Sequence, residues 1–223
     1  MKTKSRTTQQ IIEDQFKKWK AQKYEDKQPG LRRVICISRE PGSGGEIIAK
    51  KLSETLNFDL FHQEVIHEMA ESANVSTTLF ESLDERGLNT LENWISSLVD
   101  DRHLWPDKYL QHLMKVVGTI GRHGQAVIVG RGANFILPPE GLFRVRVIAP
   151  MADRIRNVAQ YFKVPEKEAT LRIIQTESDR RAFIRKYFHA DISDPHHYDM
   201  IVNTGTFPLE VTADIIRQAA DLS

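Results

Sequence analysis

Nine residues constrain this chain more than any others: Ser38-Arg39-Glu40-Pro41-Gly42-Ser43-Gly44-Gly45-Glu46. They close Arg33-Val34-Ile35-Cys36-Ile37-Ser38, a β-branched run of the kind that forms a strand buried on both faces. They open onto Ile48, Leu52 and Leu56, whose spacing predicts the buried face of a helix beginning near Gly45. A glycine-rich turn between a strand and a helix is the setting of a phosphate-binding loop. Glycines let successive N–H groups bend into one concavity, and the helix N-terminus adds partial positive charge. A tight turn with no ligand is the competing reading.

The lysine form of such a loop, G-x-x-x-x-G-K-[ST], is not met. Gly45 falls where the Lys would stand, and Glu46 and Ile47 follow it. A cradle without that Lys must draw its positive charge from elsewhere. Arg39 lies in the turn itself, and Arg131 follows the apolar run Ala126-Val127-Ile128-Val129-Gly130. Arg131 is therefore placed at the carboxyl edge of a sheet, where open α/β folds bind ligands. Arg180, Arg181 and Arg185 sit late in the chain on a charge-rich helical stretch, Arg181 and Arg185 on one face. Arginine suits phosphate because its planar fork donates two parallel hydrogen bonds. A solvated surface position is the alternative for any one of them.

Strands and helices alternate around these segments. Further strands are expected at Asp59-Leu60-Phe61, Phe143–Ala149 and Asp199–Asn203, with helices near Gln63–Ala73, 151–162, 166–188 and from about Pro208. Such alternation implies a parallel sheet covered on both faces, a three-layer α/β fold with five strands. Residues of about 77–123 interrupt it and read as a helical insertion with breaks at Gly87 and Pro106. Ile12, Phe16 and Trp19 predict one amphipathic helix, which Gln28-Pro29-Gly30 ends. Residues 1–30 are thus a helix and linker, and 31–223 the main domain. The helix either docks on its own domain or pairs with a partner, a homodimer being one possibility.

Composition excludes several classes. A chain of 223 residues buries roughly 70% of its unfolded surface and needs no disulfide or metal to fold. Net charge is +1, against the strong basic surplus of duplex nucleic-acid binders. The surplus is local: residues 1–30 hold eight Lys/Arg against four Asp/Glu. The one cysteine, Cys36, sits in a buried run and reads as an inert thiol. No stretch approaches the ~20 apolar residues of a membrane helix, and the N-terminus has no signal-peptide core. The expected location is cytoplasmic.

Three groups of residues together resemble the cytidylate kinase-like family of P-loop proteins: Ile37 through Gly45, Gly130-Arg131-Gly132-Ala133-Asn134, and the late block from Asp179-Arg180-Arg181 to Asp194-Pro195, Tyr198-Asp199 and Asn203-Thr204. The resemblance covers about 31–220 and implies a nucleoside monophosphate kinase-like fold that transfers the γ-phosphoryl group of ATP, with Mg²⁺, to CMP or dCMP. It implies that Gly42, Ser43, Gly44, Gly45 and Glu46 surround the donor phosphates, with Arg39 beside them. It places Arg131 and His62 at the acceptor, and Arg180, Arg181 and Arg185 on a mobile lid at about 175–195. Asn203 and Thr204 would lie near the donor base; capping the strand-to-helix turn is an equal alternative. In the family, Ser-Gly-Gly commonly replaces the Lys form.

Three positions depart from the family's pattern. Glu46 stands where many relatives have Arg, His62 where an Asp is expected, and Val129-Gly130 offer no acid at the strand end. Glu46 can favour the helix N-terminus by its charge or recruit Mg²⁺. Three functions are therefore open: a nucleoside monophosphate kinase, a nucleotide- or phosphometabolite-binding module without turnover, and a kinase of another small metabolite. Other constellations are weaker. His62 and His67 are five apart and diverge by more than about 100° on a helix, so they form no metal pair. His196-His197 reads as a solvated loop, Phe80, Trp94 and Trp105 as insertion packing, and Tyr187-Phe188 as an anchor for the lid.

Overall fold

The computed structural model describes residues 8–21 and 34–221, so the linker at Gln28-Pro29-Gly30 lies outside the described residues. Five strands, β1 (Val34–Arg39), β2 (Asp59–Phe61), β3 (Ala126–Val129), β4 (Leu142–Ile148) and β5 (Met200–Asn203), form one parallel sheet in the order β2-β3-β1-β4-β5. From β1 the chain goes to the edge strand β2, returns to β3 between the two, then crosses to β4 and β5. The reversal lies beside β1, and ligands in open α/β sheets bind at the carboxyl ends of strands there.

Helices cover both faces because the central strands are apolar on both. Ile35, Ile37, Val127, Val129, Val145 and Val147 point to one side, where α2 (Gly45–Leu56) and α10 (Leu209–Asp221) supply Ile48, Ala49, Leu52, Ala213 and Ile216. Cys36 and Ile128 point to the other, against α3 (Gln63–Glu71) and α6 (Lys108–His123). Each such side chain contributes roughly 1.5–3 kcal/mol on burial. Burial also pushes the Cys36 thiol up, as expected of an inert group.

The helical block comprises α4 (Ala73–Phe80), α5 (Glu85–Asp101) and α6. Its first break falls at residues 81–84, ahead of Gly87, because Asp84 caps α5 by accepting the Gly87 N–H at 2.7 Å. Trp94 donates to the Ile136 carbonyl at 2.7 Å, and Phe80 is buried. Trp105 corrects its expected packing role: it stands in the loop before α6 and is 93% exposed.

Helix α1 (Thr8–Ala21) docks on its own chain beside the edge strand β2. Ile12 and Trp19 are buried, and Gln15 and Lys18 both donate to Asp59, at 2.9 and 2.6 Å. Trp19 stacks on His123 with ring centroids 4.2 Å apart. Ile12 and Trp19, two apolar residues of this helix, are thus covered by the chain's own core. No described helix is long and apolar enough to cross a membrane.

Candidate functional site

The glycine turn joins β1 to α2, and its shape follows from two left-handed glycines, Gly42 at φ 80° and Gly44 at φ 81°. A Cβ on Gly42 would lie 2.6 Å from the Arg154 carbonyl oxygen, so close backbone approach adds to the conformational demand. The turn's carbonyls are held from behind. Asn157 donates to Gly42 O and Thr204 to Ser43 O, each at 2.8 Å, while Ser43 Oγ donates to Glu40 O at 2.8 Å. The N–H groups of Gly45 and Glu46, at the start of α2, are left without a backbone acceptor. That is the electrostatic pattern of an anion cradle.

Beside it lies a cavity of about 390 Å³, between the ends of β1 and β3, the short helix α7 (Ala133–Ile136) and the long helix α9 (Glu166–Phe188). Arg39, Arg131 and Arg180 all line it. Arg39 has a side chain only 5% exposed; its Nε and Nη2 donate to Glu46 Oε1 at 3.1 and 2.6 Å. Gly130, at φ 80°, takes a conformation that favours glycine, and a Cβ there would also sit 2.6 Å from Arg39 Nη1. Arg180 donates to the Arg39 carbonyl at 2.8 Å, and burial, then the charge of Arg39, pulls its pKa down to about 10. Arg131, at φ 53°, donates to Gln63 O at 3.3 Å and lies over the Phe183 ring. Among the described residues, neither Arg131 nor Arg180 has a carboxylate at ion-pair distance.

Glu46 is the carboxylate set among these cations. It lies in the first turn of α2, where the helix dipole favours it. Its side chain turns to Arg39 and His62, whose Nδ1 is 2.8 Å from Glu46 Oε2. Burial raises the Glu46 pKa, but the His62 hydrogen bond and the charge of Arg39 outweigh it and hold the carboxyl down to about 2. The same hydrogen bond raises His62. Apolar and aromatic residues, Phe135, Phe183, Ile184 and Ile192, line the same cavity, with Phe183 against Arg131. Cations and aromatic rings lining one cavity suit a phosphorylated planar heterocycle.

Not every predicted residue joins this site. Arg181 and Arg185 are exposed on α9 and do not line the cavity. Asn203 and Thr204 serve the turn: Asn203 Oδ1 accepts the Gly205 N–H at 2.9 Å, and Thr204 braces the glycine turn. Phe188 anchors α9 as expected, stacked on Phe135 at 5.3 Å. His67 reaches Tyr109, not His62.

Sequence reasoning assigns no role to two further residues, although Asn134 closes the Gly130–Asn134 segment. Arg154, on α8 (Met151–Phe162), donates to Glu177 at 2.6 Å and lies 3.6 Å from Glu40. Its signal was its place one turn beyond the carboxyl end of β4. Asn134 lines the cavity with a buried Nδ2 that has no partner, an orphan donor with no counterpart in spacing.

Comparison with known proteins bears on this arrangement. The model of the cytidylate kinase-like family matches residues 34–206. The chain belongs to that family. Within the cytidylate kinase-like family, a cytidylate kinase of Aeropyrum pernix is 28% identical over 185 residues, 82% of this chain and 96% of that protein. One of Ignicoccus hospitalis is 26% identical, covering 83% and 97%. Among solved structures, an uncharacterized protein from Eubacterium ventriosum matches with a TM-score of 0.59 at 23% identity, covering 84% of this chain and 98% of that one. This last likeness concerns the fold. The family match spans the glycine turn, Gly130–Asn134 and Arg180.

Proposed function

We propose that this cytidylate kinase-like chain transfers the γ-phosphoryl group of ATP to a nucleoside monophosphate, CMP or dCMP first among them. The observation that carries the reading is the convergence of Arg39, Arg131 and Arg180 on one aromatic-walled cavity beside a braced glycine turn. The relatives named cytidylate kinase support the acceptor class.

In this reading the free amides at the start of α2 hold the donor phosphates, and Arg131 holds the acceptor's phosphate. Arg180, carried on a lid of about 175–195, neutralises charge that develops between them. The acceptor phosphate oxygen is itself the nucleophile, so the chain supplies position and electrostatics rather than a covalent group. Mg²⁺ would travel with the nucleotide. The described residues hold no group of three or more metal-ligating side chains, and Ile47 stands where a hydroxyl would reach the ion. Phosphates and water would therefore provide most of its ligands.

A coupled ADP-release assay across CMP, dCMP, UMP, AMP and GMP tests the proposal, and turnover should be fastest with a cytidine nucleotide. No ADP with any acceptor would remove it. Arg131→Ala should raise the acceptor KM roughly tenfold or more, by loss of a charge-assisted contact, and leave the melting temperature unchanged. A second reading, a nucleotide-binding module without turnover, draws on the Glu46 carboxylate engaged with Arg39 at 2.6 Å. Thermal stabilisation by ATP or CMP without ADP release would favour it.

A further inference from the structure

Strand β4 carries two arginines two residues apart, Arg144 and Arg146, so both project from one face of the sheet. Arg144 is balanced in the usual way, donating to both carboxylate oxygens of Asp199 at 3.2 and 2.7 Å. Arg146 is not. It is 6% exposed, yet among the described residues no carboxylate lies at ion-pair distance from it. An arginine is rarely buried unpaired. Its guanidinium lies 5.6 Å from the Tyr198 ring centroid, and a ring face returns only part of the cost of desolvating a cation. The neighbouring Arg180 repels it.

The one side-chain hydrogen bond of Arg146 among the described residues shows where its charge is directed. Nη1 donates to Ser38 Oγ at 2.9 Å, across the β1–β4 register that pairs the two residues. Ser38 in turn lines the cavity. The single phenolic proton of Tyr198 goes to the Ile192 carbonyl at 2.7 Å. The 3.3 Å between Tyr198 Oη and Ser38 Oγ exceeds the ordinary O–H···O range. Ser38 Oγ therefore accepts from Arg146 while its own proton remains free to turn into the cavity. A hydroxyl polarised by a cation is a strong donor to an anionic oxygen.

We propose that Arg146, acting through the Ser38 hydroxyl, is a positioning residue for a phosphate-bearing ligand in the cavity, and that its charge is balanced only when that ligand is bound. The proposal rests on the reading of the cavity as the acceptor site.

The test measures CMP and inorganic phosphate binding by calorimetry, and melting without ligand, for the wild type, Arg146→Met, Arg146→Lys and Ser38→Ala. Arg146→Met should leave the ligand-free melting temperature unchanged or higher, because an unbalanced cation is gone, yet weaken CMP roughly tenfold. Arg146→Lys should recover part of that loss. Ser38→Ala should match it, and the double variant should add nothing to either single one. A lower melting temperature with unchanged CMP affinity in Arg146→Met would make the residue purely structural and overturn the proposal. If Arg146→Met does not fold, unchanged CMP affinity in Ser38→Ala overturns it alone. A wild type that binds CMP as its variants do removes only this inference. A wild type that binds neither probe removes the acceptor reading and the inference with it.

Discussion

Arg39 faces two demands that pull apart. Its guanidinium is directed toward the cavity, yet Glu46 takes its Nε and Nη2, and Glu46 is itself shared with His62. An incoming phosphate must compete with that carboxylate. Glu46→Gln should therefore tighten inorganic phosphate roughly two- to fivefold, since a half-exposed carboxylate is worth no more than about 1 kcal/mol to its partners. The same substitution should lower the His62 pKa toward its ordinary 6.5, read by NMR titration. The pH dependence has two limbs. The lowered Glu46 contributes above its ordinary 4.5 and loses that contribution as pH falls toward about 2; the raised His62 contributes fully below 6.5 and loses it as pH rises through its folded value. Phosphate binding that ignores the Glu46→Gln change would show that Arg39 does not face the ligand.

Elements are joined by contacts that no single residue type announces. Helix α1 is fastened to the end of α6 by Trp19 stacked flat on His123, at an interplanar angle of 7°. Burial pushes His123 down to about 4, so the folded chain holds it neutral. Between pH 6.5 and 4 the unfolded chain binds a proton that the fold refuses, and stability must fall as pH falls through that window. After screening by solvent, the loss should be about 1–2 kcal/mol. His123→Phe keeps an aromatic partner for Trp19 and cannot be protonated. Relative to the wild type, its melting temperature should be higher at pH 5 than at pH 7.5. An equal difference at both values would mean that His123 titrates normally.

At the scale of the whole molecule, the α8–α9 hairpin is tied to the glycine turn at three points, one of them the Asn157 hydrogen bond to Gly42 O. Arg154 links Glu177 on α9 to Glu40 in the turn, and Arg180 donates to the Arg39 carbonyl. Opening of a lid on α9 would have to break the Arg154–Glu177 and Arg180 links, and moving the whole hairpin would break the Asn157 bond as well. Glu177→Gln leaves the buried Arg154 without its nearest carboxylate and should cost about 1–3 kcal/mol. Hydrogen exchange should quicken across residues 166–188 while β1 and β3 stay protected. Uniform quickening over the whole sheet would instead mark global destabilisation, with no separate lid.

Much of this molecule was legible before its tertiary structure. The β-branched runs at Val34–Ile37 and Ala126–Val129 can only be strands with both faces covered, which dictates a parallel sheet under two layers of helix. The glycines between β1 and α2 likewise mark a backbone that must take positive φ. These are local consequences of side-chain shape and period. Long-range convergence is different, because spacing carries no record of which distant side chains meet. Arg181 and Arg180 are neighbours in the chain, yet the helical turn sends Arg180 into the cavity and leaves Arg181 in solvent. For Asn203 and Thr204, spacing offered a base or a turn, and only the packed fold shows their contacts to the turn. Sequence alone determined the layers and the place of the glycine turn. Only the packed fold, by bringing Arg39, Arg131 and Arg180 together from elements far apart in the chain, decided which charges line the cavity beside it.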